Sequence, residues 1–94
     1  MNWTEALFHV KKPIISMLHL QPLPGDPLYK EGSSMRRVIE LARADLRAIQ
    51  DGGVDGIIFS NEFSLPYQRH MNFVTPAAMA RVIGELMAEI RVPY

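Results

Sequence analysis

Pro13-Ile14-Ile15-Ser16-Met17-Leu18-His19-Leu20 is the run whose reading decides the fold. It is almost wholly apolar, with neither a helical stripe nor a clean alternation. A short, β-branched apolar run of this kind suits a strand buried on both faces, as in a parallel sheet. Pro13 forces extended geometry on the residue before it, so the strand opens directly after Lys11 and Lys12. Upstream, residues 4–9 read as a short helix capped by Thr4, with Glu5 in its first turn and Ala6, Leu7 and Phe8 apolar.

Downstream, residues 21–33 form a loop stiffened by Pro22, Pro24 and Pro27. It is longer than the 2–6 residues or so usual for a strand-to-helix connection, and long loops of this kind often serve as functional lids. A helix capped by Ser33 or Ser34 follows, with Met35, Val38, Ile39, Ala42, Leu46 and Ile49 on one face. Arg36, Arg37, Glu40, Arg43 and Arg47 take the other face, where Arg36 and Glu40 form an i,i+4 pair. Gly52-Gly53 ends the helix, because the left-handed position after a last turn prefers glycine. Val54-Asp55-Gly56-Ile57-Ile58-Phe59 then reads as a second strand, and residues 60–74 as a second long polar loop. Thr75-Pro76 predicts a helix start, with Met79, Ile83, Leu86, Met87 and Ile90 as its apolar face. Met35, Met79 and Met87 are expected in the core. Arg91-Val92-Pro93-Tyr94 reads as the start of a third strand. The order β-α-β-α-(β) predicts an α/β fold with right-handed crossovers.

Composition narrows the function classes. Ninety-four residues, 48% of them hydrophobic, make one small globular domain rather than two or a disordered tail. Ten Lys and Arg balance ten Asp and Glu, which argues against a nucleic-acid binder and against a polybasic membrane-surface segment. With no cysteine there is no disulfide framework, thiolate metal site or catalytic thiol. No stretch approaches the roughly 18–20 apolar residues that span a bilayer, and Met1-Asn2-Trp3-Thr4-Glu5 lacks a signal-peptide pattern. The expectation is a soluble, cytoplasmic chain with no transmembrane segment and no nucleic-acid partner. No Walker A loop or dinucleotide fingerprint is present.

Two strand-helix units raise a problem of coverage. Helices can close one face of such a sheet, yet both strands are too apolar for a solvated second face. The chain is therefore expected either to be a piece of a larger α/β protein or to self-associate through the open sheet face.

Residues 12–27, Lys-Pro-Ile-Ile-Ser-Met-Leu-His-Leu-Gln-Pro-Leu-Pro-Gly-Asp-Pro, resemble the opening signature of the BtpA/SgcQ family. The spacing of His19, Pro22, Leu23, Pro24, Gly25 and Pro27 carries the likeness. The stretch from Gly52 to Ile58, Asn61 with Pro66-Tyr67, the Ala77–Ala80 segment and Val92-Pro93 resemble later family blocks. The resemblance implies a TIM-type (β/α)8 barrel of about 250 residues. This chain would then be an N-terminal portion holding the first two βα units, the start of a third strand and a short N-terminal helix. It would be inactive by itself. One family branch is a membrane-associated photosystem I biogenesis factor, and the enterobacterial SgcQ branch sits among sugar-uptake genes. Many family members carry acids where this chain has Ser60 and Ser64, and Ser60-Asn61-Glu62-Phe63-Ser64 looks closer to the SgcQ branch. The complete protein is expected to be an enzyme of carbohydrate or phosphometabolite metabolism with a small-molecule substrate that can carry a phosphate. A non-enzymatic membrane-associated assembly factor is the alternative.

In a parallel barrel the C-terminal ends of the strands form the active face. His19 ends the first strand, and Ser60, Asn61 and Glu62 end the second. His19 is the candidate general base, since imidazole is the side chain that ordinarily titrates near neutral pH. Glu62 is its candidate catalytic partner, and Asn61 a candidate to orient a hydroxyl or oxyanion. Asp26 in the proline loop and Arg69 in the second loop are further candidate substrate-binding residues, although a stiff connector and a solvated arginine are the plainer readings. Asp55, at the start of its strand, is assigned a structural role. His9, His19 and His70 match no metal-ligand spacing, so no metal is expected, and the residues identify no cofactor.

Overall fold

The computed structural model describes residues 2–30, 32–64, 70 and 72–94. It is a mixed α/β structure in which helix α1 (Trp3–Phe8) precedes strand β1 (Ile15–His19), helix α2 (Met35–Asp51), strand β2 (Gly56–Ser60) and helix α3 (Val74–Leu86). A single 3-10 turn, Met87–Glu89, extends α3. The two strands pair in parallel, with Ile15 opposite Gly56, Met17 opposite Ile58 and His19 opposite Ser60.

Alternation along the pleat sends successive side chains to opposite faces. Leu18, Leu20 and Ile57 are buried on the helix side with Val38, Ile39, Ala42 and Leu46 of α2 and Ala78, Val82 and Leu86 of α3. Burying a leucine or valine of this kind contributes about 1.5–3 kcal/mol. The other sheet face is uncovered over most of its length: Ile15, Met17 and Ile58 are 42%, 45% and 49% exposed. Burial on both strand faces, expected from the apolar runs, therefore holds on one face only.

The helix stripes follow their sequence period to different degrees. In α2 the buried set is Val38, Ile39, Ala42 and Leu46, flanked by partly buried Met35 and Ile49, as the spacing predicts. In α3 it is Thr75, Ala78, Val82 and Leu86; of the expected stripe, Leu86 is buried and Met79 and Ile90 pack against the core, while the centre of the face moves to Ala78 and Val82 and Met87 is corrected. Ala78 is buried in the cluster that holds the α2 stripe, and Met79 is partly buried against it. Met87 is 56% exposed and not core, because the 3-10 turn winds it off the stripe.

The starts of α1 and α3 differ in detail from expectation, and that of α2 agrees with it. Asn2 rather than Thr4 caps α1, accepting from the Glu5 amide at 3.0 Å. Ser34 caps α2 through the Arg37 amide at 3.1 Å. The α3 helix starts at Val74, ahead of Thr75-Pro76. Asn72 Oδ1 accepts from the Thr75 amide at 3.0 Å and lies 3.2 Å from its hydroxyl, which supplies the N-terminal partner that Phe73 lacks. At the end of α2, Gly53 takes φ +85°, where a side chain would be strained.

Polar contacts tie the C-terminal end of α3 to α2. Glu89 pairs with Arg43 at 3.2 Å and Arg47 at 2.9 Å, and the Glu89 carbonyl accepts from Gln50 Nε2 at 2.9 Å. The Arg36–Glu40 pair forms at 3.1 Å. Residues 91–94 make no assigned strand, yet the Ile57 amide donates to the Pro93 carbonyl at 3.0 Å, on the β2 edge away from β1. Asp55 is structural: its carboxylate accepts from the Ile14 amide at 2.9 Å, joining the two strands at their starts.

At that same end, Phe8 of α1 lies against Gly56. A Cβ at Gly56 would stand 2.6 Å from Phe8 Cε1. Because α1 is short and buries none of its residues fully, it is the part that must yield. Gly56→Ala should release α1, lower the rotational anisotropy of the single tryptophan, Trp3, and destabilise the chain by about 1–3 kcal/mol. Phe8→Ala should remove most of that penalty. Unchanged Trp3 anisotropy together with an unchanged denaturation midpoint would refute the contact.

Candidate functional site

The polar end of the sheet lies opposite the α1 end. His19 and Ser60 form its last in-register rung, and the Leu20 amide donates to the Ser60 carbonyl at 2.9 Å, carrying the ladder one step further. Both side chains therefore stand on the face uncovered by α2 and α3. His19 Nδ1 and Ser60 Oγ are 3.2 Å apart, within hydrogen-bond distance. The Phe63 ring meets the imidazole edge-on, with centroids 6.5 Å apart and planes at 73°. The imidazole itself is solvent-exposed. A rigid strand end thus presents an accessible ring held on two sides.

Asn61 and Glu62 follow Ser60 directly, in a turn closed by the Ser64 amide donating to the Asn61 carbonyl at 2.9 Å. Both are half-buried. Their carboxamide and carboxylate bring acceptors and a donor to the strand end at which His19 sits. That combination can move a proton and orient a hydroxyl.

Asp26 has a different place. Its Oδ2 accepts from the Leu23 amide at 2.7 Å and from the buried Ser64 hydroxyl at 2.5 Å. Leu23 is fully buried, and the Tyr29 amide donates to the Asp26 carbonyl at 2.9 Å. The proline loop is therefore pinned by a core leucine and stapled to the turn after β2. Hydrogen bonds to a charged acceptor of this kind contribute about 1.5–3 kcal/mol each when shielded from water. Asp26 and Ser64 lie 38 positions apart, so only the fold brings them together.

Arg69, with Pro66 and Tyr67, lies outside the described residues. Of the candidates, His19, Asn61 and Glu62 share one end of the sheet, and Asp26 sits one loop away through Ser64. Ser60 and Ser64, which the sequence placed at this end without a role, and Phe63 are the further contact residues. The parallel register would have identified Ser60, since two strands of equal length ending together set His19 beside it. Among the described residues no group of three or more His, Asp or Glu is placed to hold a metal ion, and no helix is long and apolar enough to cross a membrane.

Known proteins resemble the chain over most or all of its length. The model of the BtpA family matches residues 10–94. The sgc region protein SgcQ of Escherichia coli (strain K12) is 49% identical over 94 residues, covering 100% of this chain and 35% of that protein. An uncharacterized protein of Pyrococcus horikoshii is 38% identical over 82 residues, or 87% of this chain and 31% of its own. The photosystem I biogenesis protein BtpA of Synechocystis is 35% identical over 89 residues, or 92% of this chain and 30% of its own. The chain thus spans about a third of the length of these curated relatives. No solved structure matches it.

Proposed function

The chain belongs to the BtpA family, and from that membership we propose that it supplies the first two βα units of a (β/α)8 barrel whose complete form is a cytoplasmic enzyme of carbohydrate or phosphometabolite metabolism. The carrying observation is the position of His19 and Ser60, side by side at the C-terminal ends of two parallel strands, with Asn61 and Glu62 directly after them. Open parallel sheets and barrels bind their ligands at that end. In this reading His19 takes up or delivers the proton, Glu62 is its acidic counterpart, and Asn61 orients the substrate. The substrate is a small, polar, hydroxyl-bearing molecule that can carry a phosphate. The carbohydrate class rests on the family resemblance read from the sequence, one branch of which sits among sugar-uptake genes.

A second reading rests on the likeness to the photosystem I biogenesis protein of Synechocystis. In that reading the complete form of this chain is an assembly factor at a membrane surface and catalyses nothing. Turnover and fractionation separate the two. With a full-length relative and a panel of free and phosphorylated sugars, alanine at the positions of His19 and Glu62 should each lower turnover by about 10²–10⁴-fold. The relative should stay in the soluble fraction. Unchanged turnover in both variants would refute the site assignment. A full-length relative that pellets with membranes, leaves them on adding salt and turns over no sugar would establish the second reading.

By itself the 94-residue chain covers its open face by pairing with copies of itself, since Ile15, Met17 and Ile58 carry no charge and the chain has no net charge to keep copies apart. Sedimentation should show mass rising with concentration, and Met17→Lys should return the chain to monomer. A wild-type chain that is monomeric at all concentrations and melts cooperatively would contradict this.

A further inference from the structure

We propose that Ser60 is the positioning residue of His19: it accepts a hydrogen bond from Nδ1–H and so holds the neutral imidazole in the tautomer whose Nε2 is free to act as a base. The argument starts from the backbone. His19 and Ser60 are partners on the last parallel rung, and the Leu20 amide donating to the Ser60 carbonyl fixes both main chains just past that rung. Two residues so paired point to the same face of the sheet, close enough for a short side chain to meet a ring nitrogen. The Ser60 Oγ to His19 Nδ1 separation of 3.2 Å is that meeting. Phe63 meets the ring edge-on with centroids 6.5 Å apart, a second neighbour beside Ser60.

A serine hydroxyl both donates and accepts, whereas neutral imidazole has one nitrogen of each kind, and the bond made by one nitrogen sets the state of the other. With Nδ1 donating to Ser60, Nε2 holds the lone pair and is the nitrogen available to a substrate. The Ser60 hydroxyl hydrogen remains for a further acceptor, which can be solvent or a substrate oxygen. This assignment rests on the reading of His19 as the proton-transfer residue, and it goes further by naming the reactive nitrogen and the group that selects it.

The tautomer can be read without any substrate. Long-range proton–nitrogen correlation spectra of the 15N-labelled chain, recorded above the imidazole titration, distinguish a pyrrole-type from a pyridine-type nitrogen. Wild type should show a pyrrole-type Nδ1 and a pyridine-type Nε2 for His19, assigned by its loss in His19→Gln. Ser60→Ala should shift the tautomer ratio about two- to tenfold toward Nε2–H, the span that one hydrogen bond of ordinary net strength produces. Ser60→Thr, which keeps the hydroxyl, should restore it. A wild type with its proton on Nε2, or a ratio identical in wild type and Ser60→Ala, would overturn the proposal. Since no turnover is involved, loss of the enzymatic reading in the full-length relative would leave this result standing, and the reverse also holds.

Discussion

The parallel pairing of Ile15–His19 with Gly56–Ser60 is the constraint from which the rest of the molecule follows. Its register decides which side chains face the helices and which face away. Leu18 and Ile57 meet α2 and α3, and the same alternation leaves Ile15, Met17 and Ile58 on an uncovered side. The pairing is held at both ends by hydrogen bonds beyond the paired strand residues. Asp55 grips the Ile14 amide where the strands begin, and the Leu20 amide reaches the Ser60 carbonyl where they finish. A one-residue slip would exchange the faces of a whole strand, setting Met17 toward α2 and Leu18 toward solvent.

The two ends of the sheet are chemically unlike. At the start, Phe8 fills the space left by the missing side chain of Gly56, so α1 closes the apolar end. At the finish stand an imidazole, a hydroxyl, a carboxamide and a carboxylate on His19, Ser60, Asn61 and Glu62. The proline loop is tied beside them, because Leu23 is sunk in the core and Asp26 holds Ser64. Rigid attachment of this kind suits a site, since a proton-transfer group works only when held close to its target geometry.

Much of this was legible from the residues, and what was not has physical causes. The α2 stripe could be read because its large apolar residues recur at the helical period with charged residues opposite. The stripe of α3 was partly misplaced because its buried set includes Thr75 and Ala78, which apolar counting ranks below Met79 and Met87. Thr75-Pro76 looked like a helix start, but Asn72 reaches the Thr75 amide and the first turn forms earlier. The apolar strands did announce a sheet needing cover on both faces, and one face lacks it among the described residues. The Ser60–His19 and Asp26–Ser64 contacts join residues 41 and 38 positions apart, a separation that local pattern cannot bridge.

The central claim is that the uncovered sheet face is an interior surface of the complete protein, with His19 and Ser60 at its mouth. Methionine oxidation reads this directly, because the rate at which peroxide oxidises a thioether follows its exposure. Met17 lies on the open face and Met87 on the outer helical layer, and in the chain alone they are 45% and 56% exposed. These 94 residues can be exchanged for the matched third of the Escherichia coli relative, and the two oxidation rates followed by peptide mass spectrometry. The account predicts that within the folded chimera Met87 is oxidised readily while Met17 is strongly protected, whatever the association state of the chain alone. Equal oxidation of Met17 and Met87 in a chimera that melts cooperatively would contradict it.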